Sequence, residues 1–257
     1  MYRLFVDPHN IDLQSMTARL TGQDHLHLIR VLRCRVGDPI TVLDGAGAAY
    51  LAALTVIGKS ESQVAIGSEI DPPPEPATYI IVGQALGKSD KFEQVVQHGT
   101  EVGASEFLPI RADRGIVDIP PARLAERVAR WRAIAKGAAE QSFRSRIPIV
   151  GCPQRLAEAL TAAVGRNETP MLLHAGSSAT SLSAALHVRP AAAGPVLLLV
   201  GPEGGWSEAE LEFAADLGCP TVSLGPRVLR TETAALVAIS QLLYHYSRPE
   251  EYPTCGS

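Results

Sequence analysis

Apolar residues fall into two rhythms along this chain, and the change from one to the other predicts its architecture. Up to about residue 70 the apolar runs are short and strand-like, at Pro39–Leu43, Ala49–Ile57 and 63–66. They are separated by turn signals at Asp44-Gly45 and Gly58-Lys59-Ser60. That spacing predicts a small β-barrel. Asp71-Pro-Pro-Pro-Glu-Pro76 then removes backbone donors and stiffens the chain, as a semi-rigid linker between domains does. Beyond it, 79–82 reads as a strand. A helix follows with Phe92, Val95, Val96 and Val102 on one face and Lys91, Gln94, His98 and Glu101 on the other.

Strand and helix then alternate. A strand at 107–110 precedes a helix over about 120–141, with Leu124, Val128, Trp131 and Ala135 inward and Arg123, Arg127 and Arg130 outward. Buried strands at 171–173 and Val196–Val200 come next, then a helix after Ser207, a strand at 221–224 and a last helix over about 234–246. This alternation predicts an α/β domain with a mainly parallel sheet covered on both faces. The domain boundaries drawn from it are 1–72 and 73–257.

Composition narrows the class. With 257 residues, 46% of them hydrophobic, the chain suits one large or two modest packed domains. Its longest apolar runs fall far below the roughly 18 residues of a membrane helix. Met1-Tyr-Arg-Leu-Phe-Val-Asp7 lacks the apolar region of a signal peptide, so a cytoplasmic location is expected. Cys34, Cys152, Cys219 and Cys255 are scattered without a C-x-x-C pair, which predicts inert thiols. His25-x-His27 lacks further ligands, and no metal is expected.

The net charge of -4 argues against coating nucleic acid by bulk attraction. Counting Lys and Arg against Asp and Glu gives 6 to 9 for residues 1–83, 11 to 8 for 84–146 and 6 to 10 for 147–257. The basic middle fits recognition of one structured polyanion.

Two segments carry the candidate chemistry. The strand Val196–Val200 runs into Gly201-Pro-Glu-Gly-Gly205-Trp206-Ser207, a turn whose backbone amides can lie close to a ligand. Ser207 and Glu210 also spell a capping box. About twenty residues later, Leu224-Gly-Pro-Arg-Val-Leu-Arg-Thr-Glu-Thr-Ala234 places Arg230 and Glu232 beside a second glycine turn. Two such strand exits predict a small-molecule pocket at the carboxyl ends of neighbouring strands. There is no G-x-G-x-x-G, and Gly83-Gln-Ala-Leu-Gly-Lys-Ser89 is one residue short of the phosphate loop, which disfavours a nucleotide-phosphate site. Absence of G-x-S-x-G and H-E-x-x-H disfavours a hydrolase.

Taken in order, these segments, together with Gln84-Ala-Leu-Gly-Lys-Ser-Asp-Lys91, Thr100-Glu-Val-Gly103, Glu140-Gln-Ser-Phe-Arg144 and His25-Leu-His-Leu-Ile-Arg-Val-Leu-Arg33, resemble the ribosomal RNA small-subunit methyltransferase E family over nearly the whole chain. Trp206 stands where that family often has Phe, Val228 where Ile is common, and Gly137 where an acidic residue is frequent. The resemblance implies a SPOUT-type α/β knot domain whose C-terminal trefoil knot binds S-adenosylmethionine, joined to an N-terminal PUA-like barrel. It also implies a homodimer, with methylation of N3 of one uridine in the decoding region of 16S rRNA within the 30S subunit. A methyltransferase of tRNA or 23S rRNA and a nonenzymatic rRNA-binding assembly factor are the alternatives.

On this resemblance the cofactor is held by Gly201, Glu203, Gly204, Gly205, Leu224, Gly225, Val228 and Leu229, with Leu173 and His174 bordering the adenine or ribose. Methyl transfer to N3 calls for cationic stabilisation of the uracil carbonyl oxygens, the role given to Arg230, and for a base. Glu203 and Glu232 are the carboxylate candidates, with Glu232 favoured as the residue that orients Arg230. The RNA contacts expected are Arg3, Arg30, Arg33, Lys88, Lys91, Arg111, Arg114, Arg144 and Arg146.

Overall fold

The computed structural model describes residues 2–87, 90–115, 117, 119–176, 179–189 and 194–246. They form two compact units, one of residues 1–75 with 139–147, the other of residues 76–138 with 148–257.

In the first unit, β1 (Tyr2–Phe5), β2 (Ile11–Asp12), β3 (Thr17–Thr21), β4 (Pro39–Leu43), β5 (Ala49–Ile57) and β6 (Glu61–Ile70) form one sheet in the order β1-β4-β5-β6-β3-β2. Only β1 and β4 pair parallel. Between β3 and β4 the chain makes helix α1 (Gly22–Leu26) and a single π-helical turn at His27–Val31. One face of the sheet buries Leu4, Ile40, Val42, Leu54 and Val64 with Leu28. β4 is covered on both faces: Leu43, with Phe5 and Ala49, packs on Ala139 and Ile147. This second face explains why 139–147 joins the first unit, although the sequence reading left it in the second. Covering it removes apolar surface that alternation in β4 alone could not hide.

The second unit contains, in chain order, β7 (Ile80–Ala85), α2 (Lys91–Val102), β8 (Glu106–Arg111), α3 (Pro121–Gln141), β9 (Ile149–Val150), β10 (Gln154–Arg155), α4 (Leu156–Gly165) and β11 (Thr169–Leu173). It continues with β12 (Thr180–Ser181), α5 (Leu182–His187), β13 (Val196–Val200), α6 (Glu208–Asp216), β14 (Thr221–Ser223) and α7 (Thr231–Tyr246). The strands run in the order β10-β8-β7-β13-β11-β14-β12, with β9 beside β8, and every pairing is parallel.

Alternate residues of the central strands supply two cores. Ile80, Val82, Val196 and Leu198 face Phe92, Trp131, Ala235 and Ile239, whereas Ile81, Leu197 and Leu199 face Leu156, Leu160 and Ala214. That is why these strands read as unbroken apolar runs: both faces are buried. Glycine permits the closest approaches. A Cβ at Gly83 would lie 2.6 Å from Leu199, and one at Gly99 would lie 2.8 Å from Phe107. No helix among the described residues is long and apolar enough to cross a membrane.

Candidate active site

β13, β11 and β14 are neighbours in the sheet, so their carboxyl ends deliver three loops to one place. A cavity of about 250 Å³ opens there. Leu173 and His174 line it after β11, Gly201, Glu203 and Gly205 after β13, and Leu224, Gly225, Val228 and Leu229 after β14. Thr231 and Ala234, at the start of α7, complete the wall.

Each loop is held by contacts that the sequence does not display. Trp206 is buried, lines the cavity and donates from its indole nitrogen to the carbonyl oxygen of Leu173 at 3.1 Å, which ties the end of β13 to the end of β11. A Cβ at Gly201 would stand 3.1 Å from that indole, so the glycine makes room for the ring. Gly205 at φ +69° and Gly225 at φ +120° adopt backbone conformations that glycine alone enters freely. A Cβ at Gly176 would lie 2.4 Å from the His174 ring, which would have to move aside. Ser207 caps α6 and forms the capping box with Glu210, while its hydroxyl donates to Asp113 at 2.8 Å.

Gly204 is the exception among the expected cofactor residues. It does not line the cavity; a Cβ there would make an ordinary 3.5 Å contact with Arg114, whose guanidinium donates to the Gly204 carbonyl at 3.2 Å. Gly204, expected among the cofactor residues, is placed against Arg114 instead. The turn has two sides, and this residue belongs to the other one.

At the rim lies an ionic cluster. Lys91 donates to Glu203 at 2.6 Å, and its ammonium stands 3.5 Å from Glu232. The hydrogen bond to Glu203, aided by both negative charges, holds the lysine pKa above its ordinary value. Burial alone would raise the Glu232 pKa. Its backbone hydrogen bond, the Lys91 charge and the Thr231 hydroxyl outweigh that and hold it below the usual carboxylate range.

Glu232 thus pairs with Lys91 and not with Arg230, a correction with a simple cause. α7 begins at Thr231 and packs on α2, so the first-turn carboxylate meets the first residue of α2. Arg230 precedes the helix and is exposed.

The expected RNA contacts are differently placed. Arg30, Arg33, Arg111 and Arg114 are exposed, and Lys88 lies outside the described residues. Arg146 is exposed, with its guanidinium over Gly47. Arg3 is partly buried against Phe143, and burial lowers its pKa. Two residues are not free cations: Lys91 belongs to the rim cluster, and Arg144 is buried, donating to Glu75 at 2.6 Å and 3.0 Å. Burial makes a carboxylate partner necessary for Arg144, which no sequence pattern reveals. Among the described residues no group of three or more His, Cys, Asp or Glu could hold a metal ion.

A cavity at the carboxyl ends of neighbouring parallel strands, in the α/β unit of a chain that also carries a small β unit, defines a class that comparison makes specific. A family model described as the RNA methyltransferase domain matches residues 73–243, and one described as the RNA methyltransferase PUA domain matches residues 20–67. The ribosomal RNA small subunit methyltransferase E of Bacillus subtilis is 32% identical over 95% of this chain and 96% of its own. That of Synechocystis is 34% identical over 94% and 77%. The crystal structure of the Neisseria gonorrhoeae ribosomal RNA small subunit methyltransferase E bound to S-adenosyl methionine has a TM-score of 0.83 at 32% identity, covering 95% of this chain and 97% of that one. A Legionella pneumophila methyltransferase structure with S-adenosylmethionine bound gives 0.85 at 29%, with the same coverage. This chain belongs to the ribosomal RNA small subunit methyltransferase E family.

Proposed function

We propose that the chain methylates N3 of one uridine in the decoding region of 16S rRNA, using S-adenosylmethionine and acting on the 30S subunit as a homodimer. The single observation that carries the reading is the cavity at the ends of β11, β13 and β14, walled by positive-φ glycines and Trp206. Glycine-rich loops of this kind fit the cofactor, since backbone groups rather than side chains border the space. Gly201, Gly205, Leu224, Gly225 and Leu229 would hold it, with Leu173 and His174 at the adenosine end. The same reading takes the C-terminal segment as a trefoil knot and residues 1–72 as the RNA-binding PUA-like domain.

When bound, S-adenosylmethionine supplies a methyl group already activated on a sulfonium. The protein's share is to align the uracil and to favour loss of its N3 proton, and alignment alone contributes effective molarities of about 10⁵ to 10⁸ M. The uracil N3 would act as the nucleophile, its proton passing to a carboxylate or to water. Arg230 is exposed and free to place a permanent cation at the carbonyl oxygens that share the N3 charge. Among the described residues that line the cavity, Glu203 is the carboxylate. Its oxygen already accepts a hydrogen bond from Lys91, so the larger share of activation falls to Arg230. The uridine must be unstacked for N3 to be reached.

The test is transfer of labelled methyl from S-adenosylmethionine to 30S subunits lacking the modification, followed by nucleoside analysis. N3-methyluridine at one position is the expected product. Unmodified subunits with intact cofactor binding would redirect the search to tRNA or 23S rRNA, and absence of cofactor binding would leave an RNA-binding assembly factor.

A further inference from the structure

Helix α3 ends on a residue that its cap does not favour. The Arg144 N–H donates to the Ala139 carbonyl at 3.0 Å, closing a Schellman turn and putting Phe143 at the position where the chain turns left-handed. Phe143 sits at φ +61°, where glycine is at ease and a bulky side chain is not. The next residues prevent relaxation. Glu75 accepts from the buried Arg144 guanidinium through one carboxylate oxygen, and through the other from the backbone N–H groups of Ser145 at 2.8 Å and Arg146 at 3.0 Å. The clamp holds Phe143 in this conformation with 56% of its surface exposed. Gln141 and Arg146, its exposed neighbours along the chain, are polar. The segment therefore offers one stacking face rather than an apolar patch.

Beneath the ring lies Arg3, its guanidinium carbon 5.2 Å from the ring centroid. The Arg3 Nε is buried and has no hydrogen-bond partner among the described residues. An exposed ring held under strain and stacked on a partly exposed cation matches a partner with both a π-face and an anionic oxygen.

We propose that Phe143 and Arg3 form a stacking platform for an unpaired base of the substrate RNA, the base lying on Phe143 and a flanking phosphate meeting Arg3. This rests on the reading that the substrate is ribosomal RNA.

Phe143→Gly tests it, because this change relieves the left-handed strain while deleting the ring. The full chain is titrated with a single-stranded oligouridylate, with a duplex RNA and with unmodified 30S subunits over a salt series. The variant is expected to lose affinity for the single strand and the subunits by about 10- to 100-fold, with an unchanged slope of log K against log salt. Binding of duplex RNA and of S-adenosylmethionine should not move. Phe143→Tyr should stay within about two-fold of the parent, and Arg3→Met should reduce the salt slope by about one. Parental affinity in Phe143→Gly overturns the platform, and so does an equal loss on duplex RNA; the methyltransferase reading stands in both cases if the parent methylates the subunits. A parent that neither binds nor methylates them overturns that reading, and the platform falls with it.

Discussion

Lys91 and Glu203, 112 residues apart in the chain, meet through a 2.6 Å hydrogen bond that joins the start of α2 to the turn after β13. With Glu232 on the other side of the ammonium, one cation separates two carboxylates at the rim of the cavity. Lys91→Met leaves those carboxylates to repel each other and to take up a proton more readily. The expected result is a lower kcat at neutral pH and a rate profile whose acidic limb moves to higher pH, with Lys91→Arg restoring part of the rate. An unchanged profile in Lys91→Met would mean that the cluster only supports the fold.

The Glu232 shift has a sign that stability measurements check. Its folded pKa is depressed, so its contribution is present above the ordinary glutamate value and lost as pH falls through the lower folded value. Urea titrations between neutral and strongly acidic pH should show this loss in the parent chain. In Glu232→Gln the acid-induced decline should be shallower.

Glu75 anchors the segment after α3 by receiving the Arg144 guanidinium and two backbone N–H groups. Glu75→Ala takes a carboxylate partner away from the buried Arg144 guanidinium, at a cost of about 3–5 kcal/mol. Chemical denaturation should register that loss. Cofactor affinity, measured under conditions where the variant is folded, should stay near the parental value because Glu75 does not line the cavity.

Gly201 and Gly204 should respond differently although only two residues separate them. Gly201→Ala pushes a methyl group to 3.1 Å from the Trp206 indole and so disturbs the bond to Leu173; S-adenosylmethionine affinity should fall by about ten-fold, about 1.4 kcal/mol. Gly204→Ala places its methyl group in ordinary contact with Arg114 and should leave affinity within about two-fold. Calorimetric titration of both variants is the measurement.

Arg230→Ala should reduce methyl transfer by at least about a hundred-fold, the scale of losing one preorganised charge partner of the transition state, with cofactor affinity within a few-fold of the parent. Loss of cofactor binding instead would move Arg230 into the cofactor site.

The sequence by itself determined the alternation of strand and helix beyond the proline-rich linker. Strands buried on both faces, such as Val196–Val200, can be built only from continuous apolar runs, and Ser207 with Glu210 writes a helix start locally. It also exposed the glycine turns at Gly201 and Gly225, because backbone conformation is a local property. It did not disclose α4, a short, alanine-rich and largely apolar segment, or β9, β10 and β12, two-residue strands that exist only through pairing with a neighbour.

Tertiary structure alone decided which charges are spent and which are available. Lys91 and Arg144 look like any surface cation in the chain. The packing of α2 on α7 commits one to Glu203 and Glu232, and burial commits the other to Glu75. It also decided which side of a glycine turn faces the cavity, setting Gly201 against Trp206 and Gly204 against Arg114. Such pairings depend on distances between residues remote in sequence, and burial, by removing water as the alternative partner, makes them obligatory.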